Sequence, residues 1–402
     1  MMQHARASEP PAAEQPAPVA YRMSEPVREA LGRLGRTEDA QFSPSGRRLA
    51  IAGFAHQRIL VLDVTLNLTA GTTGMTFETF MELESAAHAL PHGLFWLDEQ
   101  TLIVANRCGE VAIFAVPSVT ACSTISIEPL RTLGLAQMID SPGSVTAAAV
   151  APDLVELLVC NNYVHTITRH LLDRRANFEP IASEVLLKQG LEVPDGIAQS
   201  ASGRWIAVSN HYRNAVYLYR NDHVLDRASR PAGVLRGMRY PHGVRFSPDE
   251  LSIVVADAGT PFVHVFRTGN GQWFGERNAS ETIRAVSDEV FLRGHSSREE
   301  GGPKGIDLTA DGSLMVASCE EQTLAIFDMR GVFGATTRPA EELDATRARE
   351  ALLRYARGSA SPLKDAARLA LGDLRHSARL LFVRFAWRLT RPLLAFTDKF
   401  VR

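Results

Sequence analysis

The chain has 402 residues, with 43 Lys and Arg against 45 Asp and Glu and a formal net charge of -2. That balance gives the whole chain no bias toward nucleic acid or acidic membranes, and no run approaches the ~18 apolar residues that span a bilayer. The four cysteines, Cys108, Cys122, Cys160 and Cys319, show neither close pairing nor CxxC spacing, which fits reduced thiols of a cytoplasmic protein.

Residues 1–26 form an N-terminal segment expected to be disordered: Met1 to Pro18 is rich in Ala, Pro, Glu and Gln and lacks the apolar centre of a signal peptide. From residue 27 to residue 330 a tight-turn motif recurs. Its clear copies are Pro91-His92-Gly93, Pro194-Asp195-Gly196, Pro241-His242-Gly243 and Pro303-Lys304-Gly305; two degenerate copies are read at Thr37-Glu38-Asp39 and Val145-Thr146-Ala147. The copies lie roughly fifty residues apart, and a unit of that size cannot bury its own core, so this is the signature of a repeat architecture.

The fifth repeat shows the grammar best. Gly243-Val-Arg-Phe-Ser-Pro-Asp-Glu is followed by Leu251-Ser-Ile-Val-Val-Ala-Asp and then Phe262-Val-His-Val-Phe-Arg, three β-rich runs separated by turn residues. A weaker fourth run precedes the next motif, as in Gly233-Val-Leu-Arg and Glu184-Val-Leu-Leu-Lys. Four antiparallel strands per repeat define the blade of a β-propeller. The chain is therefore expected to be all-β, a six-bladed β-propeller with an appended α-helical C-terminal tail. The sixth repeat lacks a fourth run after Asp328, and Ala30-Leu-Gly-Arg-Leu-Gly-Arg is expected to supply it, closing the ring and leaving no open edge.

Beyond about Arg338 the pattern turns helical, and residues 331–402 form a C-terminal extension. Leu363 to Arg402 carries nine Lys or Arg against three Asp, with Leu371, Leu374, Ala378, Leu381 and Phe385 on one helical face. Such a basic amphipathic stretch, residues 363–402, covers a protein surface or lies at a membrane interface, and a peripheral membrane location is the second of those outcomes. Nucleic acid is not an expected partner.

In a propeller the innermost strands line a central channel whose mouth is the usual site. Glu38, His92, Thr146, Asp195, His242 and Lys304 should ring one mouth. A second ring is expected at the end of the next strand, from Gly53, Asn106, Asn161, Asn210, Asp257 and Ser318. Two carboxylates and two imidazoles are donors suited to a divalent cation, and His92, His242, Lys304, Asn106, Asn161, Asn210 and Asp257 are candidate contacts for a small polar ligand. The structural alternative is that polar residues in such turns only cap neighbouring backbone. His165, His211 and Tyr212 stand at strand ends and could extend the site, whereas His264 reads as a strand-face residue. No phosphate loop, Gly-x-Ser-x-Gly elbow or HExxH is present.

The Pro-x-Gly repeats, with Pro-His-Gly-Val-Arg-Phe-Ser-Pro-Asp-Glu followed by Val254-Val-Ala-Asp257, resemble those of NHL and YVTN repeat proteins and of the gluconolactonase/senescence-marker family. The latter resemblance implies one divalent metal (Ca, Mn or Zn) on a Glu, an Asn and an Asp. These fall on Glu38, Thr146 and Asp195, and the Asn is missing. It also implies lactone hydrolysis with Asp195 as the base for the attacking water. A non-catalytic interaction platform is the competing expectation.

Overall fold

The computed structural model describes residues 16–69, 72–221 and 224–333; all but the first few residues of the 331–402 extension lie outside them. Strands dominate. Four of the six inner strands are followed by a Ser or Thr whose hydroxyl accepts the backbone N–H five residues later: Ser43 from Arg48 at 3.3 Å, Ser200 from Trp205 at 3.2 Å, Ser247 from Ser252 at 2.9 Å and Thr309 from Leu314 at 3.0 Å. The side chain thereby closes the turn that sends the chain back as the second strand, which is why Ser-Pro-Asp and its variants punctuate the repeat.

Six sheets, antiparallel but for a parallel outermost strand in the first and fourth, begin with the inner strands Thr37–Phe42, Pro91–Trp96, Pro142–Ala151, Pro194–Gln199, Pro241–Phe246 and Gly305–Leu308. These strands stand side by side around an axis, and the last packs against the first. The result is a β-propeller. Apolar clusters fill the gaps between neighbouring sheets, as where Ile59, Val61 and Leu83 of the first sheet meet Leu94, Leu102 and Phe114 of the second.

Three expectations need correction. The described residues form seven sheets, one more than the repeats predict: Ala20–Met23, Thr65–Thr69 and Thr72–Phe77 pair with one another outside the ring of inner strands. The segment Ala30 to Arg36 adds no strand to the last sheet. Glu25–Arg33 is a helix capped by Ser24, and its Val27, Ala30 and Leu31 are buried in the gap between the last and first sheets. Closure comes from earlier in the chain, within the segment expected to be disordered: Val19 N–H donates to Ile326 O at 2.8 Å and Asp328 N–H to Ala17 O at 3.1 Å. Hydrophobic spacing alone could not tell a gap-filling helix from an edge strand. Among the described residues no helix is long and apolar enough to cross a membrane.

The inner strands approach so closely that the residue after x in the motif has almost no room. A Cβ on Gly196 would lie 2.0 Å from His242 O, and one on Gly93 would lie 2.6 Å from Gly143 O. Backbone, unlike a side-chain tip, cannot yield cheaply. Gly196→Ala should therefore cost about 2–4 kcal/mol or prevent folding, read by urea unfolding; a loss below about 0.5 kcal/mol would show that the strands are farther apart.

Candidate functional site

In four of the six repeats one loop conformation delivers x to the mouth. The residue preceding the motif proline is left-handed in four repeats: Leu90 at φ 60°, Ser141 at 53°, Val193 at 51° and Tyr240 at 52°. This is costly for any side chain, most of all for β-branched Val193. Two repeated clamps hold it. The side chains of Asn106, Asn161, Asn210 and Asp257 accept the N–H of Ala89, Asp140, Glu192 and Arg239 at 3.1, 2.9, 2.7 and 2.8 Å. The backbone N–H of the residue that follows each of them, Arg107, Asn162, His211 and Ala258, donates to the carbonyl of Leu90, Ser141, Val193 and Tyr240 at 2.9–3.2 Å.

The repeat of clamps and left-handed residues identifies the third motif as Pro142-Gly143-Ser144, not Val145-Thr146-Ala147. Its x residue is Gly143, and Thr146 lies three residues farther along the strand. The expected second ring is also displaced, by one residue. Asn106, Asn161, Asn210 and Asp257 are fully buried and spend their polar atoms on the loops; His264 joins them, its Nε2 3.0 Å from Asp257 Oδ2. Alternation along a strand turns the next residue to the opposite face, and there Arg107, Asn162 and His211 reach the mouth. Gly53 has no side chain to contribute, and the buried Ser318 hydroxyl has no hydrogen-bond partner. His165 accepts Val193 N–H at 3.0 Å, and Tyr212 approaches Glu299 at 3.3 Å.

At the mouth Glu38, His92, Asp195, His242 and Lys304 converge, all buried. His92 Nε2 is 3.5 Å from Glu38 Oε2 and 4.0 Å from Asp195 Oδ1; His242 Nε2 is 3.6 Å from Glu38 Oε2 and 3.2 Å from Asp195 Oδ2. Lys304 Nζ lies 3.3 Å from Glu38 Oε1, which also accepts from Arg36. Arg107 Nη2 lies 2.5 Å from His92 Nε2 and 3.0 Å from Asp195 Oδ1. Asn162 occupies the space that a side chain at position 143 would need: a Cβ there would fall 1.7 Å from its Oδ1. From that place Asn162 Nδ2 donates to Asp195 Oδ1 at 2.6 Å. The amide absent from position 146 is thus supplied from another strand. Its only trace in the sequence is a glycine at x and an Asn-Asn pair.

Burial lowers the pKa of His92 to about 3, with help from Arg107, and that of His242 to about 4, so both rings are neutral. Burial works against the ionised Glu38, but the cations Lys304 and Arg36 outweigh it and hold the carboxyl well below its usual range. Asp195 is held low in the same way, by Arg107 against burial. His92 Nδ1–H donates to Gly143 O at 2.7 Å, which leaves Nε2 as a lone pair. Glu38 Oε2, buried and without a hydrogen-bond partner, faces that lone pair, which Arg107 already engages. The Glu38 oxygen is therefore the acceptor that still needs a proton donor or a cation.

The residues fit a metal ion. Glu38, His92 and His242 offer donor atoms within 4.8 Å of one another, and ligands about 2.0–2.1 Å from a tetrahedral zinc lie ~3.3–3.5 Å apart. The cavity between them, about 10 Å³, takes a single water or monatomic ion. The guanidinium of Arg107 competes for the same His92 lone pair.

A propeller fold with a buried ionisable cluster on its axis is the class of protein this geometry defines. No family model matches the chain, and no curated protein matches it; the resemblance to gluconolactonases gains nothing from either. Among solved structures, the chain is similar to one in the "Crystal Structure of Mitotic Checkpoint Complex", at 13% identity and a TM-score of 0.43, covering 72% of this chain and 75% of that one. A likeness that weak carries no functional argument.

If Asn162 stands in for the missing third side chain, the two positions are coupled. Gly143→Ala alone should destabilise the fold by about 2 kcal/mol or more, and adding Asn162→Gly should recover part of that loss. Additive unfolding energies in the double-mutant cycle would contradict the substitution.

Proposed function

We propose that the propeller mouth holds one divalent cation and presents it to a small polar ligand, with hydrolysis of a lactone or similar ester as the reaction. One observation carries this reading: a buried, partnerless carboxylate oxygen of Glu38 faces two neutral imidazole nitrogens across a cavity the size of an ion. Glu38, His92 and His242 would hold the cation, with Asp195 and the Oδ1 of Asn162 beside them. When bound, such an ion polarises a carbonyl and acidifies water.

The chain's own groups have separate tasks. Lys304 and Arg36 keep Glu38 ionised. His92 is fixed in one tautomer by Gly143. Asp195, held ionised and bonded to Asn162 and Arg107, is suited to orienting a polar group rather than to taking up a proton, because a general base works best with a pKa near the operating pH. That revises the role of base expected from the resemblance. Arg107 is the internal rival of the metal.

The purified full chain should carry about one equivalent of a divalent metal, or take one up with a rise in melting temperature. Glu38→Gln should abolish that response, and Arg107→Gln should tighten binding by about ten-fold or more, as removal of a competing buried cation does. A metal-loaded protein is then tested on a lactone panel. No uptake of Zn, Mn or Ca by either the parent or Arg107→Gln would remove the metal reading.

A second reading, a non-catalytic platform, is favoured by the charge count. Glu38, Asp195 and Glu300 face Arg36, Arg107 and Lys304, and the ring is neutral without any added ion. On that reading the charged ring only ties the sheets together, and metal has no effect on melting.

A further inference from the structure

The same axis has a second mouth. Counting three residues on from each x, with Gly143 as the third, gives Gln41, Phe95, Thr146, Ala198, Arg245 and Asp307. All six line one cavity of about 200 Å³ at the opposite ends of the inner strands. One position after x stand Asp39, Gly93, Ser144, Gly196, Gly243 and Gly305, and this collar lies between the cavity and the charged cluster, with Arg245 lining both cavities. The scaffold is repeated while these side chains vary, as they do in the first ring. The volume is about twenty times the ion-sized space at the first mouth.

The lining has a definite chemistry. Arg245 Nε donates to Asp307 Oδ1 at 2.8 Å, so the only opposed charges cancel within the wall. Gln41, Gln199 and Thr146 add neutral groups able to donate and accept. Gln199 Nε2 is engaged by Glu156 at 3.2 Å, but its Oε1 is buried without a partner and needs a donor. Phe95 and Phe246 provide apolar faces. Hydroxyl groups both give and receive hydrogen bonds, and they suit paired amide, guanidinium and carboxylate edges beside an aromatic face.

We propose that this second cavity binds a neutral polyol ring of monosaccharide size, with a hydroxyl donating to Gln199 Oε1 and others meeting Thr146, Gln41 and the Arg245–Asp307 pair. The proposal goes beyond the reading of the first mouth and does not depend on it.

Saturation-transfer NMR on the full chain, with glucose, galactose, ribose and inositol as probes, tests it. At least one should bind. Gln199→Leu and Thr146→Leu should each weaken that binding about ten-fold or more, as loss of a hydrogen-bonding group from a hydroxyl site does. Thr146→Ser, which keeps the hydroxyl, should retain binding, guarding against a folding defect. Chelator and His242→Ala should leave it unchanged. The proposal is overturned if none of the four binds, if both leucine variants bind as the parent does, or if binding disappears with His242→Ala.

Discussion

The close approach of the inner strands around one axis is the constraint on which the rest of the molecule depends. It forces glycine at the position after x in four of six strands and forces the preceding proline loop into a left-handed turn. That turn is unfavourable, so the four repeats that adopt it maintain it with a buried Asn or Asp and a backbone bond from the next residue. Strain at a loop tip, held by a rigid scaffold, is a way to fix a side chain where it would not otherwise point. Here it fixes His92, Asp195 and His242 on the axis, where Glu38 and Lys304 join them.

Convergence of that kind brings an electrostatic problem. Five ionisable groups cannot be buried together unless charges pair and the rest become neutral. The two imidazoles give up their protons, and the carboxylates stay ionised against Lys304, Arg36 and Arg107. What is left over is local: one oxygen of Glu38, one of Asn162 and the Nε of Arg107 have no partner. The chemistry of the mouth rests on those atoms and on which cation, guanidinium or metal, takes the lone pair of His92.

Much of this was legible in the sequence. Pro-x-Gly recurs because proline and glycine are dictated by backbone geometry, and His92, Asp195, His242 and Lys304 follow from it directly, with Glu38 reached through the spacing of its degenerate copy. The third repeat was not, because its x is glycine and its proline follows Ser141 rather than an apolar residue; the search for a side chain then settled on Thr146. Arg107 and Asn162 were missed by one position, since a strand's two faces alternate and the Asn beside each had the more suggestive chemistry. The helix at Glu25–Arg33 and the seventh sheet depend on which gap or edge needs covering, a tertiary matter that local pattern does not encode. Corrected by three residues, Thr146 is no stray: it belongs to the ring that lines the other mouth.

The central claim is that a cation belongs on the axis between Glu38, His92 and His242. Anomalous diffraction at the zinc edge, from crystals of the full chain grown with zinc, tests it most directly. A single strong peak within bonding distance of Glu38 Oε2 and both Nε2 atoms, with Arg107 turned away from His92, is the predicted result. An axis without a peak, with Arg107 still bonded to His92 and Asp195, would contradict it.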